Sequence, residues 1–228
     1  MFNRMNNAQN PKWRAPAIGV AAAVLILSVS GASQQKQPDK PPSPAGPTYE
    51  EMVAKLKQGD LSVDFTDLRM KYAASPQYDP EEGSEEVGKM YQALNKKDFQ
   101  GALDIANSVL EKQYVNIDAH MVASAAYAGL NNDAMAKLHH DIAAGLLRSI
   151  LGSGNGASVA TAYKVISIAE EYALMRAMGW RPQKQSYLHQ GARSYDEMEM
   201  LDTKDNSTLT VYFDTTLSDQ LIEKSLGH

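Results

Sequence analysis

The apolar periodicity of this chain changes once, at Gly152-Ser153-Gly154-Asn155-Gly156, and that change limits the folds open to it. Before this stretch, apolar residues recur every three or four positions, the spacing of amphipathic helices. After it come β-branched runs and strict alternation, the spacing of half-buried strands. The implied class is α+β: an antiparallel helical layer, then a small antiparallel β-sheet and a C-terminal helix.

The helical half has clear boundaries. Thr48-Tyr49-Glu50-Glu51 is a capping box, followed by Met52, Val53 and Leu56 until Gly59 stops the helix. Asp64 caps a second helix through Ala74 with Phe65, Leu68 and Tyr72 on one face, and Ser75-Pro76 breaks it. Ser84-Glu85-Glu86 opens a third, to about Asn95. From about Phe99 to Gln113, Ala102, Leu103, Ala106, Val109 and Leu110 form a stripe. Asn116 caps the next helix, to Leu130, with Val122, Ala126 and Tyr127. A long helix from Asp133 carries Leu138, Ile142, Leu146 and Ile150 before Gly152. Short loops make these antiparallel neighbours.

This stretch has tetratricopeptide-like (TPR-like) features. Asp98-Phe99-Gln100-Gly101-Ala102-Leu103 matches the start of a repeat's second helix, with Ala102 at the small-residue position. One period of ~34 residues places Ala136 equivalently, and Tyr127 falls at an aromatic position. The usual Trp and Gly are absent, and Tyr114 stands where Pro is expected. Two imperfect repeats give a compact helical layer and no long solenoid groove.

After Gly156, Tyr163 to Ile168 reads as a strand, although one helix from Ser158 to Met178 satisfies the same periodicity. Glu170 to Met178 is helical under both readings. Gln185 to His189 reads as a strand, and Tyr195–Thr203 and Ser207–Thr215 form a hairpin around Lys204-Asp205-Asn206. Leu209, Val211 and Phe213 give its second arm one buried face. Leu217 to Leu226 closes the chain as a helix with Leu217, Leu221 and Ile222 inward.

The N-terminus carries a different message. Arg4, Lys12 and Arg14 precede an apolar run from Ala15 to Val29, and Ser30-Gly31-Ala32 offers a cleavage site. Residues 1–32 are expected to be a secretory signal peptide. The alternative, a retained anchor, needs ~20 apolar residues, and this shorter run contains Pro16 and Gly19. Residues 33–47, with five prolines, read as an extended linker. Residues 48–228 then form one α+β domain, helical over 48–152 and sheet-containing over 153–228. Localisation is expected to be periplasmic or secreted, with no stable membrane anchor after cleavage.

Charge and composition narrow the functions. The whole chain has a net charge of −5, and losing residues 1–32 removes basic residues only. Such a chain repels phosphate backbones, which disfavours nucleic acid as a partner. With no cysteine, disulfides, zinc–thiolate sites and a cysteine nucleophile are excluded.

One ordered set of residues carries a resemblance. It runs Lys57-Gln58-Gly59-Asp60, Tyr78-Asp79-Pro80, the TPR-like pair and Ser153-Gly154-Asn155-Gly156. It continues through Thr161-Ala162-Tyr163-Lys164-Val165-Ile166-Ser167, Glu171-Tyr172, Gln185-Ser186 and a terminal hairpin. From about Tyr49 to Leu226 the chain resembles the bacterial DUF4919 family. The resemblance implies an exported bacterial protein with no assigned activity, and it supplies no catalytic residues.

Candidates for chemistry are sparse. Adjacent His139 and His140 diverge by ~100° on a helix, too far to chelate one ion easily: His139 lies near the apolar stripe of Leu138 and Ile142, and His140 turns towards solvent. His120, on another helix, could approach, but nothing in the sequence shows it. Gly152 to Gly156 follows a helix and lacks the lysine of a phosphate loop, so a helix cap with a turn is expected. Ser153, Ser158, His189 and Asp196 supply hydrolase residue types without the Gly-x-Ser-x-Gly elbow. Asp79, Glu81, Glu82, Glu85 and Glu86 lack the alternation of a calcium loop. No cofactor is expected. The leading expectation is an interaction or structural module whose partner is another envelope or secreted protein. The alternative is a hydrolase at the helix–sheet junction built from Ser153, Gly154, Asn155, Gly156, His189 and Asp196.

Overall fold

A computed structural model of the protein describes residues 46–80 and 84–225. The expected signal segment and nearly all of the proline-rich segment lie outside the described residues, as do the side chains of Leu221 and Ile222.

The helices are α1 (Tyr49–Lys57), α2 (Phe65–Ala73), α3 (Ser84–Asn95), α4 (Phe99–Lys112), α5 (Ile117–Gly129) and α6 (Asp133–Leu151). Their starts follow local chemistry. Thr48 and Glu51 cap each other's backbones at α1, and the Asp64 carboxylate accepts from Thr66 N and Asp67 N at α2. Asp98, Asn116 and Asn132 do the same work at α4, α5 and α6.

Helices α3 to α6 pack in succession, with α2 against α6 and α1 against α2. Helix α5 is central: Ile117, Asp118, Ala119, His120, Val122, Ala123 and Ala126 are all buried. Ala102 is fully buried and Ala136 half-buried, while the Ser124 hydroxyl donates to Ala136 O at 2.8 Å across the α5–α6 seam. The helical layer fits a TPR-like arrangement only loosely.

The second half holds β1 (Tyr163–Lys164), α7 (Ile168–Met178), β2 (Trp180–Gln190), β3 (Arg193–Asp202), β4 (Thr208–Asp214) and α8 (Thr216–Ser225). The sheet order is β1-β4-β3-β2. β2–β3 and β3–β4 are antiparallel, but β1 runs parallel to β4, so the sheet is mixed rather than wholly antiparallel.

The expected strand from Tyr163 to Ile168 is cut to two residues, and the single-helix alternative is not formed. Val165 N makes a last bond to Asp214 O, and Ile166 N then turns to the Glu170 carboxylate at 2.9 Å. The Ile166 carbonyl is taken by the Tyr78 hydroxyl. Val165 and Ile166 are still buried, so their β-branched character serves the core without a ladder. β2 is longer than expected, because Pro182 sits on the sheet's edge strand, where no ladder bond is lost, beside a register shift.

One continuous buried cluster joins the halves, from Leu68, Ile142 and Leu146 through Ile166 and Leu174 to Met198, Met200, Val211 and Phe213. Polar side chains fasten the same junction. Buried Arg69 of α2 grips Glu170 of α7 through Nε at 2.7 Å and Nη2 at 2.5 Å, and reaches Ser149 Oγ and Lys164 O. Arg176 of α7 pairs with buried Asp118 of α5, which also accepts from Tyr91 at 2.9 Å. Burial raises the Tyr91 phenol far above its ordinary range, with Asp118 acting in the same direction.

Candidate functional site

Strand pairing settles which sequence candidates meet. Residues opposite one another share a face, and residues two apart on a strand do as well. His189 pairs with Ser194, Tyr187 with Asp196, and Asp196 with Phe213. His189, Ser194 and Asp196 therefore share the core side of the sheet with Met198, Val211 and Phe213. Asp196 is fully buried and accepts from Gln185 Nε2 at 2.7 Å. His189 is exposed, set edge-on to the Tyr187 ring at 4.5 Å, with Nδ1 3.5 Å from Ser194 Oγ.

The glycine-rich loop lies elsewhere. It flanks β4, where Gly156 O accepts from Tyr212 N at 2.9 Å, two strands away from β2. Its groups are occupied locally. Ser153 Oγ donates to Ile150 O at 2.6 Å and accepts from Lys164 N at 2.8 Å. Asn155 N and Gly156 N both donate to Thr161 O, and Asn155 Oδ1 accepts from Ala157 N. A side chain at Gly154 would place its Cβ 2.3 Å from Thr161 O, so the close turn requires glycine. Ser158 Oγ is 3.0 Å from Thr161 Oγ1. The loop is a helix cap and turn, and it does not converge with His189 and Asp196.

A groove occupies the opposite face of the sheet. Gln190, Arg193, Tyr195 and Tyr212 line it from the strands, and Ala157 to Ala160 wall it from the loop, enclosing ≈ 540 Å³. This volume lies in the range of ligand pockets, ~300–1,000 Å³. Arg193 spans the floor: its guanidinium lies 5.5 Å from the Tyr195 ring centre and 2.5 Å from Asp214 Oδ2. The Tyr212 hydroxyl donates to Glu197 Oε1 at 2.6 Å, and that bond to the carboxylate raises the phenol. The result is a tyrosine floor edged by a guanidinium and an amide.

Of these groove residues the sequence singled out Ser158 alone, and for a different chemistry. Tyr212 falls on the polar side of a correctly placed hairpin, a position that reads as solvated. The available signal is that Tyr195 and Tyr212 are aromatic on the outward face of adjoining strands.

The structure brings two of the histidines together. His120 does approach His139, with their Nδ1 atoms 2.9 Å apart, while His140 is exposed and near Asp141. Among the described residues no three potential metal-ligand side chains gather. Of the acidic stretch, 81–83 lie outside the described residues, and Glu86 pairs with Lys89 at 3.7 Å. No described helix is long and apolar enough to cross a membrane.

A profile described as a domain of unknown function, DUF4919, matches residues 46–224. The chain belongs to the DUF4919 family. That match spans both the helical layer and the sheet, and so takes in the groove and the buried ion pairs of this DUF4919 chain. Neither a curated protein nor a solved structure matches it.

Proposed function

We propose that this DUF4919 chain is an exported bacterial interaction module that binds another envelope or secreted protein at the groove on the outer sheet face. The observation that carries the reading is the open groove of ≈ 540 Å³ with Tyr195 and Tyr212 in its floor. Tyrosines supply large, rigid contact area at low entropic cost, and both tyrosines and arginines recur at the centres of interfaces. The basic-then-apolar pattern of residues 1–32 supports export.

The test is photo-crosslinking in the native cell from Ser158 and Gln190, with exposed Glu111 and Lys137 on α4 and α6 as controls. One partner captured from the groove positions and absent from the controls supports the module. Equal capture everywhere, or capture from α4 and α6 alone, removes the groove from the reading.

A second reading is favoured by one contact, Ser194 Oγ beside His189 Nδ1 at 3.5 Å with Asp196 on the same face. It is a serine hydrolase near the start of α8. Labelling by a fluorophosphonate that is lost in Ser194→Ala would support it, and unlabelled folded protein would end it.

A further inference from the structure

The least ordinary buried contact in the molecule joins two imidazoles. His120 of α5 is fully buried and His139 of α6 nearly so, with the rings of Tyr114 and Tyr127 against them. His120 Nε2 is 2.8 Å from Tyr114 O, in the α4–α5 connection. A carbonyl only accepts, so Nε2 carries the proton and His120 Nδ1 is left as an acceptor. His139 Nδ1, 2.9 Å from it, must then be the donor. One pair of tautomers alone satisfies both contacts, and in it both rings are neutral.

A third proton has two places to go. On His139 Nε2 it leaves the contact intact, and the Tyr127 ring, stacked at 5.4 Å, faces the new cation. On His120 Nδ1 it sets two N–H groups against each other at 2.9 Å, and the contact cannot exist. Burial and the neighbouring His139 hold His120 down to about 3, and burial lowers His139 as well. His120 therefore does not take up acid by charging in place.

Among the described residues the surroundings offer no compensating anion. Tyr114 meets His120 edge-on at 4.9 Å, with its phenol pushed up to about 12 by burial. From α1, Tyr49 accepts from Tyr114 N, and the Lys57 amine lies 5.2 Å from the Tyr114 ring. The buried side chains of α4 are all apolar. On α5, Asp118 is taken by Tyr91 of α3 and Arg176 of α7. On α6, Asp141 is engaged by Lys137 and His140.

We propose that the His120–His139 contact is an acid-sensitive latch on the α5–α6 seam. The seam opens locally, His120 takes a proton in the open state, and the charged ring cannot return to its place between Tyr114 and His139. The latch uses no residue of the groove.

Hydrogen exchange of the purified protein at pH 7.5 and 5.0, with small additions of urea, tests this. If His120 in the open state has an ordinary pKa of ~6.5, protection of α5 and α6 amides falls about 30-fold at pH 5.0. Those amides should respond weakly to urea, and β3–β4 amides strongly. Urea dependence in α5 and α6 equal to that of the sheet, or protection there unchanged by pH, overturns the latch. His120→Gln should shrink the fall to the part that His139 contributes. If that variant does not fold, nitrogen-15 spectra of the wild-type imidazoles decide. Nε2–H at His120 and Nδ1–H at His139 are expected at pH 6, and a charged His120 in the native state refutes the proposal.

Discussion

Replacing Glu170 by Gln tests whether the Arg69–Glu170 pair is what fastens the helical layer to α7. The carboxylate accepts three bonds: Arg69 Nε at 2.7 Å, Arg69 Nη2 at 2.5 Å and Ile166 N at 2.9 Å. The amide keeps the shape, but one of its ends becomes a donor facing donors, and Arg69, 1% exposed, loses its counter-charge. Breaking a buried pair on one side costs about 3–5 kcal/mol. For a protein of this size each kcal/mol lowers Tm by about 2–4 °C, so a fall of roughly 6–20 °C is expected. The assay is urea unfolding followed by far-UV circular dichroism, with thermal melts alongside. The double variant Arg69→Met, Glu170→Leu removes both charges and should recover most of the loss, since an apolar pair leaves no buried ion. A loss below about 1 kcal/mol in Glu170→Gln would show that water or another group reaches Arg69, and would refute the reasoning.

Acid should destabilise the fold well before its carboxylates titrate. His120 stays neutral in the native state to about 3 and charges near ~6.5 when unfolded, so stability is full above that pH and falls below it. His120 alone should account for about 2 kcal/mol lost by pH 5, read from urea midpoints across pH 4.5–8, and a flat profile would refute it. Ala102→Asp puts a carboxylate at a fully buried helix contact, and should cost several kcal/mol or abolish folding, as seen by circular dichroism. An unchanged Tm would remove the TPR-like packing. Gly154→Ala drives a Cβ against Thr161 O and should cost about 1–3 kcal/mol by chemical denaturation. N-terminal sequencing of the protein isolated from its native cell should begin near Ser33, and an intact Met1 would refute signal cleavage.

The helical half was legible because its signals are local. Caps at Thr48, Asp64, Asp98, Asn116 and Asn132 act within three residues, and each opens the expected helix. The hairpin around Lys204-Asp205-Asn206 was legible for the same reason. Two things were hidden because they depend on how the elements pack. Tyr163 to Ile168 has strand composition, but Glu170 and Tyr78 capture the Ile166 backbone and end the ladder. His120 meets His139 only because α5 and α6 pack in one register, and nothing near either residue encodes that. Topology divides the candidate residues into two groups. His189 and Asp196 do share a face, but the glycine-rich loop reaches the sheet from the β4 side.

The buried polar groups follow one rule. Arg69 with Glu170 and Asp118 with Arg176 join elements distant in sequence, and His120 with His139 joins two successive helices. Burial of such groups is costly unless every partner is in place, so each pair penalises misregistered packing more than it adds stability. Two of them share α5: His120 and Asp118 lie two residues apart, and Asp118 holds α7, which packs on β2. Loosening α5 in acid therefore strains the Asp118–Arg176 joint before it reaches the sheet. The groove, on the far face beyond α7, is reached last. An acid step that abolishes partner capture at the groove while Trp180 of β2 keeps its native fluorescence would show the strain crossing the sheet. Capture that survives until Trp180 changes would show that the latch and the groove work separately.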